Sequence, residues 1–350
     1  MGLFQSRGKR KNRRRSKLSI TRFFGPSLTV GGIAMALGTA LMGGFDLSLF
    51  DTAGPQTPPP KFEPTTLPDR VPDTIRIATF NIESFGQSKM SNPDVMAQIA
   101  TIVSQFDVIA IQEVKHKDAA PIAELIRELR SGGADYAATV SEPIGDGNYY
   151  EMYAFLWDRT RVMLRENTDY VVSDPEKRIA REPMSATFQC LTNPADTRRP
   201  FSFTLINSHT DPDEVKASSR VNEIAVLADV FVSVANYSYT TDNEDDCILL
   251  GDLNVPVAGL EPLARVVPLR SVAGEVPTNY SKSKTNDHIL IEDRTTAEFT
   301  GRTGVLDLEA AFGISQAEVK KISDHLPVWA EFSIYEAPNN VASSNSTRRF

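Results

Sequence analysis

Few side chains in these 350 residues are equipped for catalysis. There are four histidines, His116, His209, His288 and His325, and two cysteines, Cys190 and Cys247. Two cysteines cannot build a disulfide scaffold or a cysteine-based zinc cluster. Metal chemistry must therefore use carboxylates and imidazoles. Seven polar residues of suitable type fall where apolar runs end. They are Asn81 in Ala78-Thr79-Phe80-Asn81-Ile82, Glu113 in Ile111-Gln112-Glu113-Val114, His209 after Asn207-Ser208, Asp252 and Asn254 in Gly251-Asp252-Leu253-Asn254, and Asp324-His325 after Ser323. Imidazoles suit proton transfer, and carboxylates suit hard cations. In Gly-Asp-x-Asn the period of two puts an acid and an amide on one face of a strand, and Gly251 permits a close backbone approach. Alone, each of these motifs reads more readily as a turn than as a site.

Apolar bursts of strand type must deliver these residues to one rim. Strands are expected at Ile75 to Asn81, Val108 to Gln112, Met152 to Trp157, Ser185 to Leu191, Phe203 to Asn207, Cys247 to Leu250, Ile289 to Ile291 and Val328 to Phe332. Helices are expected from Pro93 to Phe106, with Val95, Ile99, Ile102, Val103 and Phe106 on one face, from Pro121 to Arg130, and from Glu214 to about Val234. Pro93 and Pro121 suit first helical turns. The alternation indicates an α/β or α+β domain over residues 73–336, with no internal repeat.

The net charge of −8 hides an asymmetry, because residues 1–22 carry nine Lys or Arg and no acid, leaving −17 for residues 23–350. An acidic body opposes non-specific adhesion to nucleic acid, yet a few local cations and a metal can still hold one phosphate. Residues 23–45 are 23 consecutive uncharged residues; as a helix they would reach roughly 35 Å, enough to cross a bilayer. They read as a transmembrane or signal-anchor helix, or as a cleaved signal with its site near Gly38 to Ala40. The basic flank stays cytoplasmic, so the body is either membrane-anchored on the far side or secreted. Residues 46–72 form a Pro-rich linker, with Pro58, Pro59 and Pro60 consecutive, and residues 337–350 lack any apolar period.

Taken in order, Asn81, Glu113, His209, Gly-Asp-Leu-Asn and Ser-Asp-His resemble the endonuclease/exonuclease/phosphatase superfamily. Longer runs narrow the resemblance to the deoxyribonuclease I group: Phe85-Gly86-x-x-Lys89-Met90-Ser91-Asn92, Val140-Ser141-Glu142-Pro143-Ile144-Gly145, Tyr149-x-Glu151-x-Tyr153-x-Phe155 and Arg181-Glu182-Pro183. It covers about Ile75 to Phe332 and implies a four-layer sandwich, two packed mixed β-sheets flanked by helices. Phosphodiester hydrolysis needs an activated water, a cation on the non-bridging oxygens and a proton for the leaving oxygen. Glu113 and Asp324 are the expected ligands of Mg²⁺, or of Mn²⁺, with Asn81 as a neutral ligand to metal or phosphate. His209 and His325 are the acid/base pair, and the resemblance implies Glu151 and Asp287 as their respective partners. Asp252 and Asn254 would hold the phosphate, a second metal or the attacking water. Which histidine is the base stays open.

The resemblance also implies substrate contacts: Arg181 near a phosphate, and Tyr149 and Lys115 at a DNA minor groove, where readout is degenerate. Two departures weaken the expected grip, Lys115 and Glu83 standing where the family has arginine. The stretch Val276 to Asn286 lacks the acid that anchors a structural Ca²⁺ in the family, which counts against calcium dependence, and its Ser/Thr/Lys-rich insertion has no assigned role. Three functions compete. The first is a metal-dependent endonuclease of low sequence specificity acting on DNA. The second is a phosphodiesterase or phosphatase of the same superfamily acting on lipid headgroups or small phosphoesters. The third, a silent binding domain on a stalk, is disfavoured because the whole catalytic set stands. Outside that set, His116 reads as a solvated loop residue, His288 as structural, and the two cysteines as buried strand thiols; Tyr149, Tyr150 and Tyr153 could be strand packing were Glu151 not set among them.

Overall fold

The computed structural model describes residues 67–145, 150–216 and 218–338. The expected membrane or signal helix at 23–45 and most of the linker lie outside the described residues. Among the described residues no helix is long and apolar enough to cross a membrane. The last linker residues belong to the body: Leu67 packs on the core, and Arg70 Nη1 donates to Asp107 Oδ1 at 2.6 Å.

Among the described residues thirteen strands, β1 Thr74–Gly86, β2 Val108–Lys115, β3 Tyr136–Val140, β4 Met152–Asp158, β5 Val162–Leu164, β6 Tyr170–Val171, β7 Met184–Cys190, β8 Ser202–His209, β9 Cys247–Asp252, β10 Arg270–Ser271, β11 Asp287–Ile291, β12 Phe299–Val305 and β13 Val328–Ser333, build two mixed sheets. The first sheet has the order β12-β13-β1-β2-β4-β3; the second has β10-β11-β9-β8-β7-β5, with β6 on β7. Central strands β1, β8 and β9 are buried along almost their whole length, because both of their faces are covered. Aromatic rings fill the space between the sheets. Phe155 of β4 meets Phe188 of β7 edge-on with centroids 5.6 Å apart, and Phe201 stacks on Phe332 of β13 at 6.0 Å. Beneath the rim a polar bolt crosses this layer, Gln112 Nε2 donating to Asn207 Oδ1 at 2.7 Å and Asn207 Nδ2 to the Ile111 carbonyl at 3.1 Å.

Helices supply the outer layers. After the single turn α1 Gln87–Met90 comes α2 Pro93–Val103, started by Pro93 and by Asn92, whose side chain accepts the Val95 amide. Next come α3 Ala120–Ser131 and α4 Glu223–Asp242, the latter covering the second sheet through Ile224, Leu227, Val230, Phe231 and Val234. α4 corrects the expected span of Glu214 to Val234. Residues 211–216 form turns, Asn222 caps the helix by accepting the Ala225 amide at 3.2 Å, and the helix runs on to Asp242, where Asn243 turns left-handed at φ 53°. The sequence reading also missed β3, the short strands β5, β6 and β10, the edge strand β12, and four short helices, α1, α5 Glu261–Ala264, α6 Leu308–Phe312 and α7 Gln316–Ile322. A signal for α7 was available: Ser315 and Glu318 form a reciprocal capping box of the Ser-x-x-Glu type. Cys190 and Cys247 are free and buried in β7 and β9, and burial pushes both thiols up.

Candidate active site

Strand register assembles the site. In β8 and β9, which run parallel, His209 pairs with Asp252; in β9 and β11, which run antiparallel, Asp252 pairs with Asp287. Three adjacent strands thus set an imidazole and two carboxylates in one row. The next pair, Gly251 and His288, points to the opposite face: His288 is buried, with Nε2 on the Val255 carbonyl at 2.8 Å and Nδ1 on Ser271 Oγ at 3.1 Å, a structural role. Gly251 is required here. Its φ is +142°, and a Cβ would lie 1.8 Å from the Ser208 carbonyl oxygen.

The first sheet contributes across the gap. Asn81 lies within β1 rather than at its end, and irregular register follows it, as it does around Glu113 in β2. Glu113 adopts φ 61°, a conformation a non-glycine residue holds only when its surroundings impose it. It is imposed by the Ser84 amide, donating to Oε2 at 2.9 Å, and by Lys115 Nζ at 2.7 Å from the same oxygen. Burial would raise the Glu113 carboxyl, but these donors outweigh it and bring it down to about 2. Asn81 Nδ2 donates to Glu113 Oε1 at 3.2 Å and to Asp252 Oδ2 at 3.0 Å, bridging the sheets.

Both histidines are held from behind. His209 Nδ1 lies 2.8 Å from Glu151 Oε1, and His325 Nδ1 lies 2.8 Å from Asp287 Oδ2. Their Nε2 atoms point to Asp252 Oδ2, at 3.5 and 3.6 Å. Asp324 Oδ1 stands 3.8 Å from His325 Nε2 on a half-exposed side chain. Burial opposes charge on both rings, yet the carboxylates prevail: Glu151 and Asp252 raise His209, while Asp287 and Asp252 raise His325 to about 10. Asp252 is itself raised, first by burial and then by Asp287.

The donor set suits a hard cation. Glu113 is a firm anion, and Asn81 Oδ1 is buried without a hydrogen-bond partner among the described residues, leaving one oxygen for a ligand. Asp252, Asp287 and His325 also present ligand atoms within 4.8 Å of one another. Within this trio His325 Nδ1 lies 2.8 Å from Asp287 Oδ2, so that oxygen already has a partner in the ring.

Other expected residues sit differently. Arg181 donates from Nε to the His209 carbonyl at 2.9 Å and from Nη2 to the Thr210 carbonyl at 2.7 Å, bracing the histidine from beneath. Asn254 Nδ2 also donates to the Thr210 carbonyl, at 3.0 Å. Lys115 is occupied by Glu113, and Tyr149 lies outside the described residues. His116 is half-buried and paired with Asp118 at 2.6 Å, rather than fully solvated.

Several site residues escaped the sequence reading. Ser323 Oγ donates to the Asn81 carbonyl at 2.7 Å and accepts the Glu83 and His325 amides at 3.1 and 3.0 Å, tying the first motif to the last. Thr278 Oγ1 donates to Asp287 Oδ2 at 2.6 Å. Its loop is pinned by Lys282, 2.6 Å from Asp307 Oδ2, which gives the unassigned insertion a structural task. The Tyr153 hydroxyl accepts the His209 amide at 2.9 Å. Lys89 lies among Glu83, Glu113 and Asp324, and burial lowers it; the run Phe85-Gly86-x-x-Lys89 was its visible trace.

Known proteins are similar to this chain in sequence or in fold. The chain is 28% identical to Deoxyribonuclease-1 of Gallus gallus over 275 residues, covering 74% of this chain and 92% of that one. It is 29% identical to Deoxyribonuclease-1-like 1 of Sus scrofa over 276 residues, covering 75% and 82%. In fold it is similar to the human Nocturnin catalytic domain with bound sulfate anion, with TM-score 0.50, 17% identity and 75% and 94% coverage. The model of the Endonuclease/Exonuclease/phosphatase family matches residues 78–325, from β1 to His325, and so spans every strand that feeds the site. With two packed mixed sheets carrying the paired histidines at one rim, this chain belongs to the Endonuclease/Exonuclease/phosphatase family.

Proposed function

We propose that the protein is a metal-dependent endonuclease that hydrolyses phosphodiester bonds of DNA with low sequence specificity. The observation that carries this reading is the convergence of two histidine–carboxylate pairs on Asp252 Oδ2, opposite an anionic Glu113. Support for DNA as substrate comes from the deoxyribonucleases among its relatives.

Glu113, Asn81 through Oδ1, and Asp324 would hold an ion of Mg²⁺ type, Mn²⁺ serving the same oxygens. When bound, such an ion supplies charge neutralisation on the phosphate's non-bridging oxygens. The chain's own groups do the rest. Glu151 and Asp287 fix each ring with Nδ1 inward, leaving Nε2 to exchange protons at the rim. Asp252 faces both Nε2 atoms and stabilises one imidazolium. A second positive ring beside the first is less favourable, so one imidazole takes the water's proton while the other delivers a proton to the leaving oxygen. Asn254, at φ 53°, and Asp252 would position phosphate or water. Arg181 acts through His209, and Lys115, once freed from Glu113, would reach the minor groove with Tyr149.

A second reading, hydrolysis of lipid headgroups or small phosphoesters, is favoured by the engagement of Lys115 with Glu113 and by the acidic body. We further propose that the segment at 23–45 delivers the domain across a membrane; protease protection in vesicles would test this, digestion from the cytoplasmic side sinking it. For function, full-length protein in detergent should nick plasmid DNA with Mg²⁺ or Mn²⁺, but not with EDTA and not as His325→Ala. An intact plasmid in every metal, with turnover of a phospholipid or small phosphodiester, would establish the second reading instead.

A further inference from the structure

The strand that ends at Asp252 begins beside another group of carboxylates. Asp246 precedes β9, Glu298 precedes β12 and Glu336 follows β13, and one oxygen from each lies within 4.8 Å of the others. At roughly 3.3 Å per residue, the six residues of β9 put this group about 20 Å from the catalytic rim. Glu244 adds a fourth acid, its Oε1 accepting the Asp246 amide at 3.0 Å. Arg199, an exposed side chain, lies 3.6 Å from Glu336 Oε1, and Arg165 acts on Glu244.

Asp246 is 2% exposed and Glu298 5%, yet Asp246 Oδ1 and Glu298 Oε2 have no hydrogen-bond partner among the described residues. Buried carboxylate oxygens without donors are costly. Backbone amides serve the opposite edges: Ala337 donates to Glu298 Oε1 at 2.7 Å and Ser202 to Glu336 Oε1 at 3.1 Å. Burial, then Glu298, Glu244 and Glu336, drive the Asp246 carboxyl up; burial, then Glu244 and Glu298, raise Glu336 to about 7. Nothing here takes part in the chemistry at the rim.

We propose that Asp246, Glu298 and Glu336 form a second divalent-cation site, suited to Ca²⁺, that clamps the two sheets together at the end opposite the catalytic rim. Asp246 is tied to the second sheet, its carbonyl accepting the Thr204 amide at 2.7 Å; Glu298 is tied to the first, its carbonyl accepting the Ser333 amide at 2.8 Å. An ion between them converts repulsion into a cross-link. Ca²⁺ takes carboxylate oxygens at about 2.3–2.6 Å in irregular geometry, so its ligands stand up to about 5 Å apart. Entry and water ligands come from an open cavity of about 620 Å³ lined by Glu298, Thr300, Arg199 and Glu336. The site is distinct from the Val276–Asn286 stretch.

The test uses full-length protein stripped with EDTA, in a Glu113→Gln background that disables the catalytic cation site. Calorimetry should find one equivalent of Ca²⁺, and saturating Ca²⁺ should raise Tm by about 5 °C. Adding Asp246→Asn and Glu298→Gln should abolish both effects. If that variant does not fold, Glu336→Gln on the half-buried side should lower calcium affinity at least tenfold. No calcium response in the Glu113→Gln protein, or an unchanged response in the variants, overturns the proposal. So does a variant that gains stability with no calcium response, since the carboxylates would then be sharing a proton.

Discussion

His209 ends β8 of the second sheet and His325 lies in the loop that leads into β13 of the first, yet both turn Nε2 toward Asp252 Oδ2, at 3.5 and 3.6 Å. One carboxylate oxygen therefore senses the charge on both rings, and neither ring can change protonation without altering the other's hold on its proton.

That coupling has a kinetic signature. His209→Ala and His325→Ala should each lower kcat at least about 10²-fold, the usual scale of general acid–base catalysis, with Tm within a few degrees of the parent. The double variant should be little worse than either single one, because the groups act as a unit. Multiplicative losses in a plasmid-nicking time course would mean that the rings work independently.

Lys115 competes with a cation for Glu113, lying 2.7 Å from Oε2. Lys115→Gln should lower the half-saturating Mg²⁺ concentration several-fold when metal binding is titrated without substrate. Glu113→Gln should raise it at least tenfold, by removing the firm anion. Metal affinity unchanged in both variants would remove Glu113 from the ligand set.

Gly251→Ala tests the close approach of β9 to β8. A positive φ and a Cβ 1.8 Å from the Ser208 carbonyl should cost more than about 2 kcal/mol, read as a fall in Tm or loss of soluble protein. A Tm within one degree of the parent would show that the strands can part at no cost.

His288 is held neutral, lowered by burial from 6.5. The unfolded chain takes up a proton near that value while the fold does not, so this contribution is present above about pH 6.5 and is lost as pH falls, by at most about 1.4 kcal/mol per pH unit. His288→Gln should keep a donor for the Val255 carbonyl and flatten the fall in Tm between pH 6.5 and 5. Parallel curves for parent and variant would assign the acid sensitivity to other groups.

The amino-acid sequence by itself determined the layered α/β class, the central strands and the identities of the catalytic set, because apolar runs and their polar ends are local patterns. Asn81, Glu113, His209, Asp252 and His325 were legible as residue types where apolar runs end or begin, although Asn81 and Glu113 lie inside β1 and β2. Their rank order of burial and their contacts were not. Strand β12 stayed hidden because Phe299–Val305 is a Thr- and Gly-containing edge, and α4 was begun too early because Val215 and Val221, which pack on the same core from outside the helix, read as its first apolar positions. Only the tertiary structure decided that Asp252 serves two histidines, that Lys115 is spent on Glu113, and that Arg181 braces the His209 carbonyl. It alone brought Asp246, Glu298 and Glu336 together from positions up to 90 residues apart in the chain. The physical reason is the same in each case: register and sheet packing set side-chain distances, and those depend on every strand in the sandwich rather than on any one segment.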